Sequence, residues 1–220
     1  MSRTIASRSS SRFVTEEMAN QWTHAIGFLL SLPAGWMLLT AAAERNNPWL
    51  SFGCTIYVAS LSAMYAASTL SHSVRRGLWR HRFRSLDQVC IFLLIAGNYT
   101  AFGMTFLRDG WWGVLLIVMW LLALTGIVMK LFFTKFDNVS VWFYLLTGWV
   151  GVIAIPQYFR FLGTEGVLWI AAGALAYSGG TWFLTRDERR VFYHPLWHVM
   201  VMIGTACHYV VVLKYVVPSA

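Results

Sequence analysis

Five of the six histidines in this chain, His24, His72, His194, His198 and His208, fall inside or at the ends of long apolar runs. An ionisable side chain in such surroundings is expensive and marks a functional site by default. His194 and His198 are four residues apart, so on a helix they share one face and can grip one ion together. Ser68 and His72 repeat that spacing on a second run, and Asp87 opens a third. Three imidazoles with a fourth position left open form a recognised catalytic zinc arrangement, the last position belonging to water. Zinc brings the pKa of that water to about 7 and so supplies hydroxide at neutral pH. Asp87 is then suited to orient or deprotonate the water, and Ser68 to bond to it or to a substrate carbonyl. Other uses of the same residues stay open here. Histidines in membrane helices also serve as hydrogen-bonded packing residues, and histidines on facing helices ligate haem.

The elements that must position these groups are membrane helices. The 220 residues are 58% hydrophobic and only 12% charged, against about half apolar and a quarter charged in a soluble domain. The charges gather in short patches separated by runs of about the 20 apolar residues that a helix needs to cross the hydrocarbon. Seven such runs are expected: His24 to Ala43, Trp49 to His72, Asp87 to Leu107, Trp111 to Met129, Val139 to Phe159, Gly166 to Leu184 and His194 to Val217. The fold class is therefore all-α, an integral membrane bundle of seven helices spanning residues 16–220, preceded by a polar, basic tail over residues 1–15. The connections are the turn ERNNP (Glu44 to Pro48), a basic loop from Arg75 to Arg84 holding His81, the turn Arg108-Asp109-Gly110, a loop with Lys130, Lys135 and Asp137, and the charged loop RDERR before the last helix.

The net charge of +8 reflects Lys and Arg beside membrane helices, where they set topology and meet anionic headgroups, and calls for no nucleic acid. Cys54, Cys90 and Cys207 all lie in apolar runs and form no CxxC motif or disulfide framework. Lys and Arg concentrate on one side of the bundle, which places the N-terminus in the cytoplasm and, with seven spans, the C-terminus outside. Ser68 and His72 then lie at the cytoplasmic end of the second helix. Asp87 begins the third at the same depth, and His194 and His198 begin the seventh. Groups from three helices converge on one membrane level. That shared depth favours a small metal ion over haem, whose paired ligands often sit at two depths. His208 is about ten residues deeper and stands outside the primary ligand set.

At these residues the sequence resembles the hemolysin III family, the bacterial branch of the progestin and adipoQ (adiponectin-receptor-like) receptor superfamily. Glu17-x-x-Asn20-x-x-Thr23-His24-x-x-Gly27 is similar to the family's opening motif, and Ser68-Thr-Leu-Ser-His72 to its second-helix motif. Asp87 with the following IFLLIAGNYT, and Tyr144-Leu-Leu-Thr-Gly-Trp149, resemble the third and fifth helices. His194-Pro-Leu-Trp-His198, then Gly204 and His208, resembles the closing motif. The sequence departs from the family pattern at Ser71, Gln88 and Ala101, none of which belongs to the ligand set. The resemblance implies seven helices, a zinc ion held by His72, His194 and His198, and Asp87 and Ser68 as polar partners beside the metal water. Glu17, Asn20, His24 and His208 enter as further motif residues.

For function the resemblance implies zinc-dependent hydrolysis of a lipid amide or ester, ceramidase-like, in a multi-pass protein of the bacterial cytoplasmic (inner) membrane linked to membrane homeostasis. A membrane lipid is then the substrate or ligand. The alternative is a non-enzymatic membrane receptor or sensor in which zinc is a structural staple. A hemolysin-type pore or transporter ranks below both, because the outer halves of the spans offer few polar groups beyond Asn98, Thr100 and His208.

Overall fold

The structure, a computed structural model, describes the backbone of residues 10–74, 76–132 and 137–220, and side chains from residue 14 onward except 137–140. Lys135 and Arg75 of the expected loops lie outside the described residues, as do residues 1–9 of the expected tail. Every regular element among the described residues is helical: α1 (Ser10–Ala43), α2 (Pro48–Ser73), α3 (Gly77–Phe102), α4 (Gly113–Phe132), α5 (Asp137–Trp149), α6 (Ile155–Leu184) and α7 (Tyr193–Val211). Among the described residues, six segments are long and apolar enough to cross a membrane: Val14–Ala43, Pro48–Ser73, Gly77–Leu107, Gly110–Phe132, Val141–Leu184 and Tyr193–Val216. Large apolar side chains such as Leu29, Trp36, Ile117, Leu121, Leu168 and Leu175 point outward. A soluble surface would not carry such a belt, whereas lipid accepts it.

Local chemistry sets the helix ends. Asn47 caps α2, its side chain accepting from the amides of Trp49 (3.1 Å) and Leu50 (3.2 Å), with Pro48 at the first helical position. That uses the ERNNP turn as a start signal, because proline there forfeits an amide that has no intrahelical partner. The connection after α2 is much shorter than the expected loop from Arg75 to Arg84. Gly77 takes φ 85, in the left-handed region, and α3 begins there. His81 is thus a helical residue. Nothing between Leu78 and Leu86 breaks a helix, and arginine is a good helix former, so the basic stretch becomes the opening turns of α3. Trp79 stacks on Phe83 and carries the Arg82 guanidinium over its ring at 5.2 Å. Lys130 likewise lies in the last turn of α4, buried, and not in a loop.

The expected fifth and sixth spans fall within one apolar segment of 44 residues, Val141–Leu184. A straight helix of that length would reach about 66 Å, twice the hydrocarbon thickness of roughly 30 Å. It is not straight. Val150–Ala154 tightens into a 3-10 turn ahead of Pro156, which has no amide to donate. Gly163 then breaks α6 with φ 66 and ψ −175, a conformation that is essentially reserved for glycine.

The core runs along α2, which packs against α1 on one side and α3 on the other, while α7 packs against α6 and α1. Tyr57, Leu61, Met64 and Tyr65 of α2 are buried there with Leu38 of α1, Leu94 of α3 and Val201 of α7. This arrangement brings the end of α2, the opening half of α3 and the start of α7 together around the first turns of α1.

Candidate metal centre

His72 ends α2, and His194 and His198 occupy the first two turns of α7. One ring nitrogen of each lies within 4.8 Å of the others, so the three can hold a metal ion. The ring centroids are 5.1 Å apart for His72 and His194, 5.1 Å for His72 and His198, and 4.8 Å for His194 and His198. His72 and His198 are buried, and His194 is partly open at the mouth of the cluster. The entry to α7 is built for this. Phe192 sits at φ 67, unusual for a residue with a side chain, and its amide donates to Glu16 Oε1 at 3.1 Å. That bond ties the start of α7 to α1 two residues before His194.

The partners of the opposite ring nitrogens decide whether the cluster suits a metal. His72 Nδ1 lies 2.7 Å from Glu17 Oε2, and Glu17 Oε1 in turn accepts from Arg80 at 2.8 Å. His194 Nδ1 lies 2.8 Å from Asp187 Oδ2. His198 Nδ1 lies 3.2 Å from the backbone carbonyl of Asn20 and 3.0 Å from Thr23 Oγ1, whose own proton goes to the same carbonyl at 2.9 Å. A carboxylate or carbonyl at each Nδ1 fixes the tautomer that carries its proton there, which leaves each Nε2 lone pair free for a ligand bond. Metal-binding histidines are backed in this way almost without exception. The donor set of three neutral imidazoles fits zinc, and the site meets this requirement three times over.

Asp87 lies on α3, half-buried, and accepts from Ser71 Oγ at 3.0 Å through Oδ2. Ser68, 1% exposed, adjoins the same carboxylate, which also faces His72 and His194. The residues put forward from the sequence on α2, α3 and α7 thus share one neighbourhood. Glu17 and Asn20 back two of the histidines from α1, and His24 stacks on His198 with centroids 3.8 Å apart. His208 lies apart from the cluster, with Nε2 3.4 Å from the Ile170 carbonyl and its ring against Tyr177. Three participants escaped the sequence reading. Arg80 belongs to the topology-setting basic stretch, Asp187 to the charged loop RDERR, and Thr23 enters only as a letter of a motif. The available signal is the pair of carboxylates, Asp187 and Glu188, in the turn ahead of His-x-x-x-His.

The whole helical scaffold matches a known pattern. A family model described as haemolysin-III related aligns with residues 13–209. The chain belongs to this family. Among haemolysin-III relatives, hemolysin-3 of Bacillus cereus is 38% identical over 212 residues, covering 95% of each chain. A hemolysin-3 homolog of Bacillus subtilis (strain 168) is 37% identical over 205 residues, covering 93% of this chain and 96% of the relative. More distantly, the monocyte to macrophage differentiation factor of Homo sapiens is 28% identical over 221 residues, covering 93% of this chain and 86% of its own. Haemolysin-III membership and the six apolar segments together make this a multi-pass integral membrane protein.

Proposed function

We propose that this protein is a zinc-dependent hydrolase of a lipid amide or ester, embedded in the bacterial cytoplasmic membrane and serving membrane homeostasis. The observation that carries the reading is the set of three buried or half-buried imidazoles, each backed at Nδ1, with a carboxylate beside them. A staple needs only the ligands. A carboxylate and a serine next to them are what hydrolysis adds.

In this reading the chain crosses the membrane seven times, Gly163 separating the fifth and sixth spans, with the N-terminus in the cytoplasm and the C-terminus outside. The bias of Lys and Arg supports that orientation. His72, His194 and His198 hold the ion on the cytoplasmic side. A zinc ion held there would supply Lewis-acid chemistry, polarising a substrate carbonyl and lowering the pKa of water to about 7. Asp87 takes the proton released as the nucleophile forms and returns it to the leaving amine or alcohol. Ser71 keeps the Asp87 carboxylate aimed, its hydroxyl donating to Oδ2. Ser68 donates to the carbonyl oxygen as negative charge gathers on it. Arg80 holds Glu17 in place behind His72, so the basic start of α3 also supports the site.

The test is Asp87→Asn in purified protein, followed by zinc content and turnover of lipid amides and esters. The hydrolase keeps its zinc and loses turnover by about 10²–10⁴-fold, the usual contribution of a general base. If zinc is a structural staple in a receptor, the wild type turns over no substrate and the substitution changes stability alone.

A further inference from the structure

The helical segment that opens with α3 is longer than a membrane needs. Gly77–Leu107 has 31 residues, about 46 Å of helix against roughly 30 Å of hydrocarbon. Its far end is fixed by the turn that follows, where Arg108 pairs with Asp109 and lies over the Trp49 ring at 4.7 Å. Such groups belong at an interface. About 20 residues back from Leu107 the hydrocarbon ends, close to Gln88. Residues 77–86 therefore emerge through the headgroup layer on the side of the metal centre. They hold Arg80, Arg82, Arg84 and His81 but no carboxylate, and Arg76 precedes them. Arg80 is engaged by Glu17 at 2.8 Å. Arg76, Arg82 and Arg84 are exposed, and among the described residues no carboxylate pairs with any of them. The turn ahead of α7 differs, since Asp187 and Glu188 lie among its arginines. Arg82 also shares a helical face with Leu78, Trp79 and Leu86, all three exposed. Trp79 is 59% exposed, stacks on Phe83 and carries the Arg82 guanidinium over its ring at 5.2 Å. A face turned to water has no use for these apolar side chains, whereas an interface seats the ring below and the guanidinium beside the phosphates.

We propose that the opening turns of α3 form a docking surface for the headgroup of an anionic phospholipid. Arg82 takes the phosphate, Trp79 lies against the glycerol and upper acyl chain, and Arg76 and Arg84 supply the field that selects a lipid of net negative charge. A guanidinium fork matches two phosphate oxygens, so the contact is geometric as well as electrostatic. A zwitterionic lipid offers the same phosphate, but its ammonium meets arginines that no carboxylate offsets. The docked lipid is held from the bilayer as a bound partner. Its binding stands whether or not the metal centre hydrolyses anything, and whichever end of the bundle faces the cytoplasm.

The test compares full-length wild type with Arg82→Gln/Arg84→Gln and with Arg189→Gln/Arg190→Gln, which removes the same charge from the turn ahead of α7. Arg80 is left in place because it backs Glu17. Native mass spectrometry from mixed micelles gives the Kd of phosphatidylglycerol and of phosphatidylcholine at two ionic strengths, with folding checked by helical circular dichroism. The wild type should bind phosphatidylglycerol at least about fivefold more tightly, the effect of about one basic side chain at a charged surface. That preference should fall to about twofold or less in the α3 variant, persist in the other variant and shrink as salt is raised. Trp79→Ala changes no charge and should weaken phosphatidylglycerol binding by about two- to fivefold. A wild type without the preference would overturn the proposal, as would an α3 variant that keeps it or a Trp79→Ala variant that binds as the wild type does. Equal loss in both arginine variants would overturn it as well, because net charge alone would then be responsible. Soluble glycerol 3-phosphate binding as tightly as the lipid would do the same, since the surface would then serve a free phosphate.

Discussion

Replacing Glu17 by glutamine isolates the support behind His72 without changing the size of the side chain. Glu17 is 7% exposed and serves two donors at once, His72 Nδ1 at 2.7 Å and Arg80 at 2.8 Å. Glutamine has one acceptor oxygen and one amide group, so it satisfies only one of the two. The other is left as a buried or half-buried donor, which costs about 1–3 kcal/mol. Independently, loss of a carboxylate behind a metal-bound histidine weakens binding by about 10–100-fold, or roughly 1.4–2.8 kcal/mol. The two routes agree in size. Asp187→Asn behind His194 is the internal control. Its side chain is 28% exposed, and asparagine still presents a carbonyl oxygen to the Nδ1 proton, so about tenfold or less is expected. Competition with a chromophoric zinc chelator in detergent measures both. Zinc held by Glu17→Gln as tightly as by the wild type, or a larger loss for Asp187→Asn than for Glu17→Gln, would refute this account of the site.

Other outcomes follow from the same structure. Gly163→Ala forces a side chain into a backbone conformation at φ 66, so stability should fall by about 1–3 kcal/mol, read as a lower Tm in detergent; an unchanged Tm would mean that α6 does not break there. A C-terminal alkaline phosphatase fusion should be active and a C-terminal green fluorescent protein fusion dark, and the opposite result would contradict seven spans with the N-terminus inside. Thr23→Val removes one of the two partners of His198 Nδ1 but leaves the Asn20 carbonyl, so zinc affinity should drop by no more than about tenfold in the same chelator assay.

The histidine trio was legible as a cluster because two simple rules pointed to the same place. Helical spacing put His194 and His198 on one face, and the alternation of spans put His72 and Asp87 at their depth. Backing residues obey neither rule. Asp187 lies in a turn, where a carboxylate looks like a solvated charge, and it meets His194 only because the chain bends back at Phe192. Arg80 was hidden by its company, since four other arginines lie between residues 75 and 84 and only contact with Glu17 separates it from them. Helix boundaries failed where charge was mistaken for a break. The stretch from Leu78 to Leu86 is basic but has no glycine or proline, so α3 starts at Gly77 and carries His81 within it. The break at Gly163 lies between Arg160 and Glu165, in the gap that the sequence leaves between the run ending at Phe159 and the run opening at Gly166, and its φ of 66 gives the position of the turn.

The most direct test of the central claim is elemental analysis of purified protein, wild type against His194→Ala/His198→Ala, with folding checked by helical circular dichroism. The account predicts about one zinc per wild-type chain and none in the folded double variant. A well-folded wild type without metal, or a double variant that keeps its zinc, would contradict it.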